Sequence, residues 1–362
     1  MKKILFAISY SVLVGGAQKV FLSTINELLI KGVQIHLLLP DKSMNSFILS
    51  KFVKIHYVDF SSFRCFFVIF KILKENNFDI INTYLPKSSL IISFVNIFFR
   101  IPIYCTLLNE IVHVKLSFFE KIYYPWFYKF LTKICNGFIV NSYYNKNNII
   151  KILNLNPDFI KVIYSGIDSK FFNSSLHLLE NPLKNNKFII GYVGRLSQEK
   201  GPIYLLQALT KLNDINYECI IVGDGPLLED LKCFTKINNL NDKVTFTGYQ
   251  QDPINFMSMM DVIVVPSLNE TFGITIIESF ALMKIVVASN IGGIKEIVKN
   301  GINGFLFTAK SSNELSSIIL DIHKGNLINS DIGFTAMNFA KENFTTEIMA
   351  KKTYQFLENK SK

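Results

Sequence analysis

The sequence is poor in arginine: Arg64, Arg100 and Arg195 stand against 35 lysines. A bias of that size matches the codon drift of an AT-rich genome. An arginine kept against it supplies a planar bidentate fork that lysine lacks. Cysteine is scarce too, with five scattered residues (Cys65, Cys105, Cys135, Cys219, Cys233) and no C-x-x-C spacing. That excludes a disulfide framework or a cysteine-based zinc site, and reads as reduced thiols in a cytoplasmic protein. The five histidines are dispersed, so they form no metal-ligand cluster in sequence. Long apolar runs are missing as well. The most apolar stretch, Leu90 to Phe99, is cut by Arg100 and Pro102, well short of the roughly 20 residues that span a bilayer. Low-complexity and disordered segments are also missing, and G-x-G-x-x-G does not occur, so a dinucleotide fold has no support in spelling.

What is present suits two globular domains. A chain of 362 residues exceeds one ordinary core, and 49% hydrophobic against 18% charged residues allows sizeable interiors. The formal net charge of +10 is unevenly placed. Residues 1–180 carry 20 Lys+Arg and 10 Asp+Glu, while the remainder carries 18 of each. The surplus belongs to the first half and points to an anionic partner there, such as a membrane surface or a pyrophosphate. Nucleic acid is disfavoured because no helix-turn-helix, finger or RNP-type signature occurs.

The start, Met1-Lys2-Lys3 with Ile4 to Ile8, resembles a secretory leader only briefly. Its apolar run breaks at Ser9-Tyr10-Ser11, so it reads as a first buried strand. Gly15-Gly16 then turns into an amphipathic helix over Gln18 to Ile30, with a second strand at Val33 to Leu39. This is the βαβ rhythm of a parallel sheet wound by helices. Further strands are expected at Ile55 to Val58, Ile80 to Thr83, Ile103 to Leu107, Gly137 to Val140 and Ile160 to Tyr164. From Ser169 to Lys187 the pattern fades into Asn, Ser, Pro and Lys. A second series follows at Phe188 to Val193, Tyr217 to Val222, Val244 to Phe246, Val262 to Val265 and Ile285 to Ala288. The expected organisation is a domain over 1–170, a linker over 171–187, a second domain over 188–345, and a C-terminal helix over 346–362 that returns to the first domain. Two such doubly wound sheets hold ligands beyond the carboxyl ends of their strands, in the cleft where they face each other.

Two segments carry phosphate chemistry. Glu270-Thr271-Phe272-Gly273 follows a strand and Pro266, and opens a helix through Glu278 to Met283. The first amides of a helix lack intrahelical partners and carry the positive end of its dipole, which suits a phosphate oxygen. Glu270 and Glu278 then reach different parts of one ligand, although Glu278 alone also fits a solvated helix position. Gly191 to Gly201 is a strand followed by a turn that holds Arg195 and Lys200. A fork and a point charge converging on a diphosphate stabilise the charge of a departing nucleoside diphosphate; an exposed basic turn is the plainer reading. Gly223-Asp224-Gly225-Pro226 is a further glycine turn at a strand end, and Gly15-Gly16-Ala17-Gln18 is the first domain's own anion-ready loop.

In chain order, Gly15-Gly16-Ala17-Gln18, Val140-Asn141-Ser142, Val162 to Asp168, Gly194 to Gly201, Val222 to Pro226 and Pro266 to Gly273 resemble the family-four retaining glycosyltransferases of the GT-B fold. Glu270 and Glu278 match the E-x7-E signature, and Gly292-Gly293 with Glu296-Ile297-Val298 matches the segment after it. The resemblance covers almost the whole chain and implies an α/β protein of two Rossmann-like domains. It implies that Arg195 and Lys200 bind the donor diphosphate, Glu270 the sugar hydroxyls and Glu278 the ribose. Backbone groups near Gly194, Phe272, Gly273 and Ile274 would face the donor, with Gly16 on the cleft floor; Glu270, Arg195 and Lys200 form the catalytic set. No cofactor or metal is implied, and no D-x-D motif occurs. Where many members carry T-x-H-D/N, this chain reads Thr106-Leu107-Leu108-Asn109, so the acceptor side falls to Gly15, Asn109 and Glu110. His113 lies near, but reads as a satisfied histidine. Retention by front-face attack, with the leaving phosphate taking the acceptor proton, is the mechanism implied.

The region Lys115 to Lys133 packs eight aromatic residues into 118–130 among lysines, and Phe63 to Lys71 is similar. Rings interleaved with lysines fit an interfacial helix on anionic lipid, and also fit a helix packed on the sheet. The expectation is a cytoplasmic enzyme, peripheral on the inner face of the cytoplasmic membrane. It moves a hexose or N-acetylhexosamine from a UDP- or GDP-type sugar to a polyprenyl-diphosphate-linked or other glycan acceptor, as in O-antigen or capsule assembly. The alternatives are a soluble transferase on a small acceptor, a nucleotide-sugar epimerase, or a non-catalytic sugar-nucleotide binder.

Overall fold

A computed structural model of the chain describes residues 2–10, 16–43, 48, 53–109, 118–172, 187–327 and 331–359, with the side chains of 118–124 left aside. Two parallel sheets organise it. The first contains β1 (Lys3–Ile8), β2 (Gln34–Leu39), β3 (Lys54–Tyr57), β4 (Ile80–Tyr84), β5 (Ile103–Leu107), β6 (Gly137–Val140) and β7 (Ile160–Val162). Their spatial order is β3-β2-β1-β4-β5-β6-β7. β1, β4, β5 and β6 are runs of apolar and β-branched residues, mostly fully buried, as strands covered on both faces must be. The associated helices are α1 (Gly16–Ile30), α2 (Cys65–Glu75), α3 (Pro86–Asn96), α4 (Phe118–Leu131) and α5 (Tyr143–Leu153). One core joins α2, α3, α4 and α5 to a single face of the sheet through residues such as Ile69, Ile92, Leu131 and Ile149. The opposite face receives α1, whose Phe21 meets Tyr84 edge-on at 5.0 Å.

The second sheet holds β8 (Phe188–Val193), β9 (Tyr217–Val222), β10 (Val244–Gly248), β11 (Val262–Val265), β12 (Ile285–Ser289) and β13 (Phe305–Phe307), in the order β10-β9-β8-β11-β12-β13. Its helices are α6 (Pro202–Leu209), α7 (Leu228–Ile237), α8 (Ile254–Met259), α9 (Ile274–Ala281), α10 (Ile294–Ile297), α11 (Ser312–His323) and α12 (Ile332–Asn343). All strand pairs in both sheets are parallel. In each sheet the order reverses once: between β1 and β4 in the first, and between β8 and β11 in the second. At such a reversal the crossovers leave in opposite directions, opening a crevice at the carboxyl ends of the two strands.

Contacts divide the chain into Met1–Gly166 with Thr346–Lys362, and Ile167–Thr345. The final helix, α13 (Thr346–Asn359), belongs to the first unit: it buries Met349, Ala350, Thr353 and Leu357 as one stripe. Thr24 of α1 reaches the Met349 sulfur at 3.8 Å, and Phe356 packs on Tyr104 at 5.5 Å.

Several boundaries differ from the sequence reading. The first unit ends at Gly166 rather than 170, because the Ile167 amide donates to the Phe344 carbonyl at 2.8 Å and Phe171 is buried in a 3-10 turn over Ser169–Phe172. Residues 173–186 of the expected linker lie outside the described residues. α9 stops at Ala281 rather than Met283, whose φ of 57° is left-handed and closes the helix. β13 was not expected, since three residues carry no measurable period.

Candidate active site

The site begins where β8 and β11 emerge side by side, with Val262 opposite Ile190 and Ile263 opposite Gly191. After β8 the chain turns at Gly194, runs past Arg195 and Leu196, and forms a 3-10 turn over Gln198–Lys200. After β11 it passes Pro266 and reaches Gly273, which caps α9. Adjacency of the two strands thus brings residues about 70 positions apart in sequence into contact: Lys200 Nζ lies 2.5 Å from Glu270 Oε2.

This loop pair is held by backbone. The Leu268 and Asn269 amides both donate to the Glu199 carbonyl, at 2.8 and 3.2 Å, and the Gly293 amide donates to the Glu270 carbonyl at 3.0 Å. Close approach requires glycine on both sides. A Cβ at Gly201, whose φ is 61°, would stand 2.2 Å from the Pro266 carbonyl oxygen; one at Gly293 would stand 2.0 Å from that of Thr271. Thr275 Oγ1 donates to the Val193 carbonyl at 3.4 Å, tying the start of α9 to the end of β8.

Beneath the turn lies Tyr192, whose hydroxyl donates to the Arg195 carbonyl at 2.8 Å and fixes the backbone that carries the guanidinium. Burial first, then the Glu270 and Glu199 carboxylates, push this phenol far above its usual range, so it remains a donor. Glu199 accepts from the Ser197 hydroxyl at 2.7 Å. The Arg195 side chain is exposed, and its guanidinium makes no hydrogen bond or ion pair among the described residues. One anchored cation beside a carboxylate and one free fork, next to the start of α9, make an arrangement suited to a diphosphate and an attached hydroxylated group.

The remaining expected residues fall as follows. Gly194, Arg195, Lys200, Glu270, Phe272, Gly273, Ile274 and Glu278 all lie on the two segments that leave β8 and β11. Glu278 is 5% exposed, so the solvated-helix reading is wrong. The Phe272 ring is buried edge-on against Phe344 at 5.7 Å, which leaves only its backbone for a ligand. In the first unit, Gly16 heads α1 after β1, and Asn109 is exposed beyond β5. Gly15, Glu110 and His113 lie outside the described residues. The Leu108 carbonyl accepts from the Asn141 amide at 3.2 Å, which holds the strand end where the family pattern departs.

Sequence reasoning missed several residues. Tyr192 and Glu199 act through one hydroxyl and one carbonyl, which no spacing announces. Asn82 sits inside an otherwise apolar strand, an unusual enough choice to have been noticed. It accepts from Thr106 Oγ1 at 3.1 Å at the β1/β4 reversal, and its amide nitrogen is buried with no hydrogen-bond partner among the described residues. Ser289 Oγ, at the carboxyl end of β12, is buried in the same condition. Among the described residues no three His, Cys, Asp or Glu side chains converge as a metal site.

Residues 14–171 match Glycosyltransferase Family 4, and residues 178–335 match Glycosyl transferases group 1. The Escherichia coli UDP-Gal:alpha-D-GlcNAc-diphosphoundecaprenol alpha-1,3-galactosyltransferase is 30% identical over 269 residues, covering 69% of this chain and 67% of its own. An uncharacterized 41.2 kDa protein in the cps region of Klebsiella pneumoniae is 26% identical over 272 residues, covering 71% of this chain and 73% of its own. Anabaena HepE, solved in complex with UDP and glucose, superposes with a TM-score of 0.84 at 23% identity, covering 99% of this chain and 100% of its own; at that identity the likeness carries the fold alone. With both halves matched in order and both sheets in the expected topology, this chain belongs to the family-four glycosyltransferases of the GT-B fold.

Proposed function

We propose that the enzyme transfers a hexose or N-acetylhexosamine, with retention, from a UDP- or GDP-linked donor to a polyprenyl-diphosphate-linked glycan during bacterial surface polysaccharide assembly, on the inner face of the cytoplasmic membrane. The observation that carries this reading is the Lys200–Glu270 pair at the β8/β11 reversal, beside the start of α9. Glu270 accepts from donor sugar hydroxyls, and Lys200, held against it, faces the diphosphate. Arg195 supplies the fork on the second phosphate, and buried Glu278 accepts from the ribose diol.

In the reaction the anomeric carbon–oxygen bond to the diphosphate breaks, and the acceptor oxygen bonds to that carbon on the same face. The acceptor proton passes to the departing phosphate oxygen, so Leu108 in place of a histidine removes no necessary proton carrier. Charge developing on the nucleoside diphosphate is met by Arg195, Lys200 and the α9 amides, a set that supplies cationic stabilisation without a metal. The acceptor class is supported by the Escherichia coli relative, whose name specifies a diphosphoundecaprenol acceptor, and the setting by the Klebsiella pneumoniae relative in a cps region.

The test is a panel of nucleotide sugars screened for thermal stabilisation. Reaction of the stabilising donor with undecaprenyl-diphosphate GlcNAc follows, with the product's anomeric configuration read by NMR. Stabilisation by one donor and release of nucleoside diphosphate only with acceptor is expected. Conversion of donor alone would identify an epimerase, absence of release an inert binder, and an inverted product would refute retention. Turnover confined to a small water-soluble acceptor would refute the lipid-linked reading.

A further inference from the structure

The first unit carries an apolar ridge on the outside of its helical layer. α2 has two apolar faces. Cys65, Ile69, Ile72 and Leu73 are buried against the sheet, while Phe63, just before the helix, and Phe67 are 78% and 72% exposed. Residues 63, 66, 67 and 70 follow the i, i+3, i+4, i+7 spacing of one helical stripe; Phe63, Phe67 and Phe70 turn from the core, while Phe66 at the stripe's edge packs partly against it. α3 repeats the arrangement: Ile91, Ile92 and Val95 are buried, while Phe94 and, just past its end, Phe98 are 49% and 73% exposed. The two stripes join. Phe66 meets Phe94 at 5.9 Å, and Phe70 meets Phe98 at 6.0 Å. Scattered exposed apolar residues are ordinary, but a continuous row of rings marks an interaction site.

The border of the ridge is cationic. Between 63 and 100 the chain has five basic residues (Arg64, Lys71, Lys74, Lys87, Arg100) and two acidic ones. Of the two acids, Glu75 lies 3.8 Å from Lys71, and Asp79 turns to the amino end of the sheet, accepting from the Lys3 amide at 2.7 Å. Two of the chain's three arginines therefore flank this surface. On the neighbouring α4, Trp126 is 68% exposed and stacks on Phe130 at 6.3 Å, although Phe127 and Tyr128 are buried in the core. Among the described side chains of the lysine-aromatic segment 115–133, Phe127 and Tyr128 thus go to the interior, and the larger exposed apolar surface among the described residues is on α2 and α3. No helix among the described residues is long and apolar enough to cross a membrane.

We infer that the α2–α3 ridge is the membrane-docking face: its phenylalanines enter the headgroup region of an anionic bilayer while Arg64, Lys71, Lys74 and Arg100 bind lipid phosphates. This rests on the membrane-attached reading above and names the surface responsible. The cationic rim selects anionic lipid over an acidic or neutral protein surface as the occupant, because rings and cations alternate along helices laid side by side.

Flotation of the full chain with phosphatidylglycerol/phosphatidylethanolamine vesicles, and with phosphatidylcholine vesicles, tests it. Wild type is expected to float with the anionic vesicles, less so in high salt. F67S/F98S should lower its partition by about tenfold or more, and K71E/K74E by a similar factor. Both variants alter exposed positions, so their unfolding temperature and stabilisation by nucleotide sugar should match wild type. Flotation of both variants at the wild-type level would overturn the ridge; if K129E/K133E alone then lost binding, membrane attachment would survive through α4. Wild type failing to float would overturn the ridge and the attachment together, leaving donor binding untouched. A wild-type dimer that F67S/F98S dissociates, with no flotation, would make a second copy the occupant and refute the proposal.

Discussion

At the residue scale the candidate site depends on a few specific placements. Glu270 and Lys200 neutralise each other at 2.5 Å, so removing either leaves the other without its partner and, under the proposed function, takes one group from the donor. K200A and E270A should each lower turnover by about 100-fold or more, because an electrostatic contact that strengthens in the transition state is worth that much. Far-UV dichroism and the unfolding temperature should show an intact fold, and near-normal turnover in either variant would remove the assignment. Gly201 is a different kind of requirement. Its φ of 61° and the Pro266 oxygen 2.2 Å from an added Cβ mean that G201A strains the backbone that carries Lys200. The expected cost is about 1–3 kcal/mol in urea unfolding, together with weaker donor stabilisation. A variant with wild-type stability would show that the loop relaxes freely.

At the element scale, the β2–β3 edge of the first sheet holds a pH-sensitive contact. His36 and His56 stack with Nδ1 and Nε2 3.1 Å apart. Burial, then Lys3, His56 and Lys54, lower His36 from 6.5 to about 4, and burial with Lys54 lowers His56. Both rings are therefore neutral in the fold at a pH where an unfolded chain would protonate them. Below about pH 6.5 the unfolded state binds more protons, so stability is lost as pH falls from 6.5 toward 4 and is restored above that window. Urea midpoints measured from pH 7.5 to 4.5 should fall on acidification, and H36Q/H56Q should flatten that slope. An identical slope in the variant would place the acid sensitivity elsewhere. The same scale explains how α9 works: an eight-residue helix begins at a glycine, is tied to β8 through Thr275, and buries Glu278 one turn in. The strand before it and the glycine at its start were legible, because Val262 to Val265 and Gly273 are strong local signals. Its end was not, since Met283 closes it in a left-handed conformation that side-chain pattern does not announce.

At the scale of the whole molecule, the chain ends return to where they began. α13 covers the face of the first sheet that α1 leaves open, with Lys2 Nζ donating to the Glu358 carbonyl at 3.0 Å and Met349 beneath Thr24. Truncation after Thr345 should expose the α1 surface and the part of the sheet that α13 covers. Proteolysis of the 1–166 unit should then become rapid and soluble yield should drop, whereas the Ile167–Thr345 unit should keep its donor-induced stabilisation. Retained protease resistance across both units would show α13 to be dispensable. The sequence by itself determined the strand series, the tandem doubly wound architecture and the two candidate-site segments after β8 and β11, because periodic burial, glycine turns and charged residues at strand ends are local and repeat in order. Even the return of the last helix was readable as an expectation. Only the tertiary structure decided the rest. Lys200 meets Glu270 because β8 and β11 are neighbours across the strand-order reversal, a pairing set by crossover direction and not by any residue nearby. Tyr192 and Glu199 joined the site through backbone geometry. The aromatic segments were separable only once burial was known: Phe127 and Tyr128 fill the core while Phe63, Phe67 and Phe98 stand in solvent. Composition is the same for a ring inside and a ring outside, and which face a helix turns to the sheet is settled by the packing of its neighbours.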